Sequence, residues 1–274
     1  MRHFAKLVLA QLSSLALCVS FFTQSSRPGG SDRPTAEVST APANRILPVP
    51  ANYRFPDGQS YVYGVEWHLF NAGSAVVSME AAGQERKVTA VADSAGVVNV
   101  LYRVHDRFEG YFNPRTFCSL RVVKHTEEGS RQRETDIRFD YPRGKSVLDE
   151  KNLKTGEAKH TENEIPGCVT DVVTGFYYLA SLPLETGRSY NFPVSDGGKI
   201  ADVLARVEAR ERVKAPVGTF QTLRVTAEPT NGPLRKKAKI WVWFTDDANH
   251  TPVQLRAKLG WGTLVFRLQR LGQQ

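Results

Sequence analysis

The stretch KIWVWFTDDANHTPVQL, Lys239 to Leu255, decides the fold. It can be read in two ways. Asp246, Asp247 and His250 carry the side chains that bind metals or move protons. The same residues are also turn chemistry, because Asp and Asn bond their own backbone and tolerate bent conformations. The flanks choose between the two. Ile240, Val242 and Phe244 alternate with Trp241 and Trp243, and beyond Pro252 the residues Val253 and Leu255 alternate with Gln254 and Arg256. Period-two alternation on either side of a short polar stretch is a β-hairpin. A metal site would need further ligands, and none stands nearby in the sequence. Both faces of the first strand are apolar, so it is expected in the interior of a sheet, covered on both sides.

The same alternation runs outward through the chain. Tyr61, Tyr63, Val65 and Trp67 share one face, and Asn71-Ala72-Gly73 is the expected hairpin turn. Ala75, Val77 and Met79 follow, then Val88 and Ala90. In the second half Val203, Ala205 and Val207 alternate with Arg206 and Glu208. Ala215-Pro216-Val217-Gly218 is a turn, and Gly260-Trp261-Gly262 leads into Leu264, Phe266 and Leu268. Short connections imply antiparallel neighbours, and in/out alternation implies one wet face.

Asp171 to Leu182 departs from this pattern. Val172, Phe176 and Leu179 recur at helical spacing, with Val173, Tyr177 and Ala180 beside them. Thr170 or Asp171 can cap the start, and Pro183 marks the end. The expected fold is therefore mainly β: about ten or more strands and one main helix, in a single domain over 53–274. A sheet that large must curl, and the hollow of such a half-barrel needs filling. A helix apolar nearly all round is the natural plug.

The N-terminus predicts export. Arg2 and Lys6 precede the apolar run Leu7 to Phe22, and Thr23 and Ser25 are small residues suited to cleavage. Residues 1–25 read as a secretory signal peptide, and the periplasm is the expected destination. The rival is a retained membrane anchor, for which the run is short and interrupted by Gln11, Ser13 and Ser14. Cys18 suggests lipidation, but bulky Leu17 stands where a small residue is needed. Residues 26–52, rich in Pro, Ser, Thr and Ala, read as a disordered linker.

The chain has 274 residues and a formal net charge of +8. Export directs such a charge toward anionic membrane surfaces rather than nucleic acid, although a generally basic soluble surface explains it equally. The run Arg235-Lys236-Lys237-Ala238-Lys239 is its densest part. Cys118 and Cys168 are two buried thiols or, in an oxidising compartment, a disulfide. A bridge over so long a loop would stabilise the fold by roughly 3–4 kcal/mol. They form no metal site, since no second pair stands at ligand spacing.

Catalytic motifs are missing. His68, His105, His125 and His160 are scattered, and no His-Glu-x-x-His, Gly-x-Ser-x-Gly or phosphate-cradling loop occurs. No cofactor is implied. A hydrolase with carboxylates meeting in space is the least favoured reading. Aromatic side chains stand out instead. Tyr63, Trp67, Phe176, Tyr177, Trp241 and Trp243 are the candidates for lining an apolar pocket between sheet and helix, against ordinary core packing. The expected function is non-enzymatic binding of a lipid or other hydrophobic ligand. The alternative is a structural or interaction protein of the cell envelope with a filled core.

Several of these motifs follow a familiar order. Phe55-Pro56-Asp57-Gly58-Gln59 opens the Tyr61–Trp67 strand, and Ala72-Gly73 and Leu101-Tyr102-Arg103-Val104-His105-Asp106 follow. Then come Phe139-Asp140, the helix, the turn Ala215 to Phe220, and Ile240 to Asp247 with Pro252-Val253. In this the chain resembles the bacterial domain of unknown function 3108 family of exported proteins, over most of Phe55 to Leu271. The resemblance implies an antiparallel half-barrel around a helix, similar to the periplasmic lipoprotein carriers that hold acyl chains. It implies no activity and no catalytic residues.

Overall fold

The structure is a computed structural model that describes residues 43–274 apart from 69, 233, 234, 236, 237, 261 and 274. The signal segment, residues 26–42 of the expected linker, Lys236, Lys237 and Trp261 lie outside the described residues.

The first half of the chain is a meander of eight strands. These are β1 (Gln59–Trp67), β2 (Phe70–Ala82), β3 (Glu85–Ser94), β4 (Val104–Phe112), β5 (Ser119–Glu128), β6 (Arg131–Asp140), β7 (Lys145–Asn152) and β8 (Ala158–Glu164). A short helix, α1 (Gly96–Leu101), joins β3 to β4. A two-residue strand, β9 (Thr170–Asp171), leads directly into the main helix α2 (Val172–Ser181). The second half is another meander: β10 (Ser189–Asp196), β11 (Lys199–Ala215), β12 (Gly218–Pro229), β13 (Lys239–Thr245), β14 (Pro252–Leu259) and β15 (Gly262–Gln273).

The two meanders are fused where the last strand pairs with the first. Tyr61 stands opposite Leu271 and Val65 opposite Phe266. The result is one sheet of 15 strands, running from β8 through β1 and β15 to β9. All neighbours are antiparallel except β9 and β10. The sheet is open, with β8 and β9 as its edges, and it curls around α2.

The core fills part of the concave face. Met79, Val88, Phe112, Val225, Val242, Phe244, Val253 and Leu268 are fully or almost fully buried there with Tyr178 and Leu179 of the helix. Phe117 links the two layers, with its ring 5.1 Å from Phe112 and 5.6 Å from Tyr178. Val122, Ile137, Phe139, Leu148, Ile165 and Val169 make a separate small core beneath the polar strands β5 to β7.

Asp171 sets the start of α2. Its carboxylate accepts hydrogen bonds from the backbone N–H of Val173 at 3.0 Å and of Thr174 at 2.8 Å. It also accepts one from the Ser119 hydroxyl at 2.7 Å, which ties the helix entry to β5. Gly110 on β4 permits this approach, since a Cβ there would stand 3.0 Å from the Asp171 carboxylate. The Cys118–Cys168 disulfide closes the same corner, with its Cα atoms 5.1 Å apart.

The structure corrects the expectations in three places. The linker does not extend to Asn52. Asn44 bridges to Asn191, Ile46, Leu47 and Val49 pack on the core, and the Leu47 N–H donates to the Tyr178 hydroxyl at 2.8 Å. Pro48 and Pro50, and the absence of aromatic residues or a periodic pattern, hid this docking. Asn71-Ala72-Gly73 is not a turn, for β2 already begins at Phe70. The turn comes earlier, with His68 at φ 46°, and a register shift after Val65 absorbs the difference. Lastly, α1 was not expected, because six residues carry too little periodicity to read.

Asp171→Ala removes the cap and takes the acceptor from the buried Ser119 hydroxyl proton, while the Asp171 backbone N–H still donates to that oxygen. A lost cap costs about 0.5–2 kcal/mol and a buried unpaired group about 1–3 kcal/mol. The expected destabilisation is therefore about 2–4 kcal/mol, read as a lower urea midpoint at unchanged slope. Asp171→Asn, which can still accept, should lose less.

Candidate functional site

The curled sheet has more room than the helix occupies. Beside α2 lies an open-mouthed cavity of about 470 Å³, lined by β1 to β5, β13 to β15 and one side of the helix, with Tyr53, Pro56 and Asp196 at its margin. On four strands its walls come from the inward phase: Tyr61 and Tyr63 on β1, Ala75 and Val77 on β2, Leu255 on β14 and Phe266 on β15, while β3 and β4 border it with consecutive residues. Val173, Phe176, Tyr177 and Ala180 form the helical wall.

Three of the six candidate residues meet here. Tyr63, Phe176 and Tyr177 line the cavity. The two indoles of β13 do not. Ile240, Val242 and Phe244 take the inward phase, so Trp241 and Trp243 lie on the opposite face of the sheet. Trp241 borders an outer groove with Glu66, Arg256, Lys258 and Arg267. The Trp243 indole N–H donates to the Glu211 carboxylate, and the Arg256 guanidinium stands 5.9 Å from its ring centroid. The Lys239 ammonium likewise lies 5.3 Å from the Trp241 ring. Cationic side chains therefore cover these indoles from the solvent side. Trp67 ends β1, where its ring meets His68 edge-on at 4.9 Å, and it does not border the cavity.

The cavity also takes residues that sequence reasoning placed elsewhere. Asn249, His250 and Pro252 line it, so the hairpin turn contributes directly to its wall. His250 adopts φ 43°, and its Nδ1–H donates to the Ala180 carbonyl at 2.8 Å. A carbonyl can only accept, which fixes the proton on Nδ1. The acidic pair serves the turn. Asp247 accepts from the Asn249 N–H at 2.9 Å and the Thr245 hydroxyl at 3.0 Å, while Asp246 pairs with Arg210 at 3.3 Å. Leu255 and Phe266 were visible as alternating apolar residues. Only the phase of the sheet relative to the helix was needed to find them.

Polar groups of two kinds face the cavity. Its β4 and β5 side carries Asp106, Arg107, Lys124 and Thr126. Lys124 pairs with Asp196 at 3.2 Å, and its ammonium lies 5.7 Å from the Phe108 ring. Arg107 binds Glu109 at 2.7 Å. Burial pushes the Asp106 carboxyl up to about 6, and nearby Glu128 adds to the rise. The other side presents phenols. Tyr63 donates to the Pro252 carbonyl at 2.7 Å and Tyr61 to Gln59 Oε1 at 3.2 Å. Burial pushes the Tyr61 hydroxyl to about 12 and those of Tyr63 and Tyr177 well above their ordinary value. All three therefore remain donors near neutral pH. Among the described residues no three His, Cys, Asp or Glu side chains stand close enough to hold a metal ion, and no helix is long and apolar enough to cross a membrane.

Asp106 makes the fold sensitive to pH. Its folded value lies above its unfolded one, so the unfolded chain ionises first as pH rises. Stability is then lost between about pH 4 and pH 6 and stays low above that window. Asp106→Asn should raise Tm at pH 7.5 and leave it unchanged at pH 3.5, as scanning calorimetry would report. An equal effect at both pH values would locate the strain elsewhere.

With the geometry in view, comparisons with known proteins add the following. A solved β-barrel-like protein of domain of unknown function DUF1849 from Brucella abortus is similar to this chain at 13% identity and TM-score 0.56, covering 84% of this chain and 99% of that one. That likeness is one of fold. A "putative lipoprotein" from Parabacteroides distasonis aligns at 10% identity and TM-score 0.30, over 80% of this chain and 97% of its own. No curated protein matches the chain. Residues 62–269 match the family model described as Protein of unknown function (DUF3108), and the chain belongs to that family.

Proposed function

We propose that this is a non-enzymatic binding protein of the bacterial cell envelope, which holds a lipid or another hydrophobic molecule in the hollow beside α2. The cavity of about 470 Å³ carries the reading. Protein interiors close-pack and leave few voids larger than a water, so a space of this size is not a packing defect. It falls within the roughly 300–1,000 Å³ of ordinary ligand pockets, and its walls are mainly apolar with a few convergent polar groups. Tyr63, Phe176 and Tyr177 are the contacts of first choice. The Cys118–Cys168 bridge supports an oxidising compartment, which agrees with an export signal and with the periplasm. The clustered carboxylates that a hydrolase would need do not support that reading: Asp106 and Asp196 are the cavity's acidic residues, and Asp196 is paired with Lys124.

The test is native mass spectrometry on the mature protein, exported to the periplasm and purified without detergent. Extra mass that is released on denaturation and identified as lipid is the expected result. A bare mass in every preparation would overturn the reading.

A second reading, contact with an anionic membrane surface, is favoured by the rim formed by α1 and the β1–β2 turn. Phe70 is 66% exposed, Val97 70%, Val100 84% and Leu101 68%. So many large apolar side chains on one exposed edge suit a lipid interface better than water. Vesicles containing phosphatidylglycerol should carry the wild-type protein upward in a flotation gradient. The double variant Val97→Asp/Val100→Asp should stay at the bottom. Wild-type protein that does not float removes this reading.

A further inference from the structure

We propose that the outer groove beside β13 is a headgroup site, in which Arg256 and Lys258 hold the phosphate of an anionic phospholipid while the apolar rim of α1 rests in the bilayer. The proposal rests on the membrane reading above and gives that contact a fixed site.

The groove lies on the convex face, on the other side of the sheet from the hollow. Its lining carries three cations, Arg256, Lys258 and Arg267, against one carboxylate, Glu66. Glu66 is taken by Arg267 at 3.2 Å. Arg256 and Lys258 are both exposed and have no carboxylate partner among the described residues. Arg256 stands 5.9 Å from the centroid of the Trp243 ring, and a ring does not neutralise it.

The strand register adds a second observation. Lys239 on β13 stands directly opposite Lys258 on β14, and both take the outward phase. Like charges directly opposite each other destabilise a sheet. Lys239 reaches away to Glu228 at 3.8 Å, whereas Lys258 has no such outlet. Arg256 shares the outward face of β14 two residues along, so an anion seated between it and Lys258 relieves the repulsion. The guanidinium fork suits a phosphate in particular.

Position names the source of that phosphate. Lys258 is the last residue but one of β14, so the groove runs to the end of the sheet that bears the apolar rim. The β14–β15 and β1–β2 turns meet there, since a Cβ on Gly262 would stand 3.3 Å from His68 Nε2. His68 itself lines the groove and lies two residues before the exposed Phe70. The entry to α1 is held against the same end, with the Ala95 N–H donating to the Ala72 carbonyl at 2.9 Å. Apolar side chains for the acyl layer, with unmatched cations beside them for the phosphate layer, are the two halves of an interfacial binding surface.

Partition onto phosphatidylcholine vesicles with and without phosphatidylglycerol, read by flotation, tests this. Wild-type protein should bind the phosphatidylglycerol vesicles. Arg256→Gln/Lys258→Gln should bind them about thirtyfold more weakly, the scale of two basic side chains at an anionic surface. Arg256→Lys/Lys258→Arg, which keeps both charges, should bind as wild type does. The control is Arg212→Gln/Lys214→Gln, which removes two exposed cations from the opposite end of the sheet and should change binding less than about twofold. Arg256→Gln/Lys258→Gln should keep the wild-type melting temperature, because both side chains are exposed, and this separates lost binding from lost fold. An equal loss in the two Gln variants, or no loss in the groove variant, overturns the site and leaves the membrane reading standing. Micromolar binding of glucose 6-phosphate without vesicles, read by calorimetry, also overturns it and makes the groove a site for a soluble phosphate. Wild-type protein that binds no vesicle overturns both.

Discussion

The structure depends on one constraint, a ten-residue helix that has almost no face fit for water. Tyr177, Tyr178, Leu179 and Ala180 are consecutive and all buried, so they cover the whole circumference of the helix. Burying such a helix stabilises the fold by about 1.5–3 kcal/mol for each large apolar side chain, provided that something surrounds it. A flat sheet covers one side. Fifteen strands curled into an open spiral cover most of the circumference. The remaining gap is closed by the segment from Asn44, which bonds Tyr178 through the Leu47 N–H. Each end of the helix is pinned to the sheet by a polar contact: Asp171 to Ser119 at the start, and Ala180 to His250 near the finish.

The cavity follows from a mismatch in length. Ten helical residues span about 15 Å, whereas the thirteen residues of β2 span roughly 43 Å. A single short helix cannot fill a trough lined by strands of that length. The part it fills becomes the core, where Phe112, Phe117, Tyr178 and Phe192 interlock. The part it leaves is walled mainly by the same inward phase of the strands and is therefore mainly apolar, with polar groups on its β4 and β5 side. Core and candidate site are thus one surface, divided only by how far α2 reaches.

How much of this was legible follows from what makes each strand. β1, β2, β11, β14 and β15 bury one face against an apolar core, and their alternation could be read directly. β5 to β8 could not be read so. Sequences such as RQRETDIRFD and AKHTENE have polar residues in both phases. These strands are joined by cross-strand ion pairs, Arg121–Asp136 at 2.9 Å, Arg133–Glu150 at 2.7 Å and Lys145–Glu162 at 3.0 Å. Such pairs exist only once the register is formed, so no local pattern announces them. The helix was legible for the opposite reason. Its spacing, its Asp171 cap and Pro183 are all local signals. Of the candidate site, the members on β1 and α2 could be found because one phase was plainly apolar. On β13 both phases were apolar, and alternation cannot say which of two apolar faces looks inward.

The hairpin after β13 shows why residue type misleads where position decides. Asp246, Asp247 and His250 have the chemistry of a metal site, yet each is consumed by the backbone or by a neighbouring strand. Asp247 organises the bend, with the Thr251 N–H donating to the Thr245 hydroxyl at 2.8 Å beneath it. That bend brings His250 to the last turn of α2 and presents the Pro252 carbonyl to Tyr63. The outward Trp243 indole of β13 is held meanwhile by Glu211 and Arg256. The strand is therefore fixed on both faces and its turn is fixed to the helix. This rigidity lets the neighbouring wall stay unfilled without collapsing. Large side chains that could close the space, Phe266 and Leu255 among them, belong to strands whose register is set by paired neighbours on both sides. A hollow bounded in this way persists because its walls are held from outside, and it can be offered to a ligand at little cost in reorganisation.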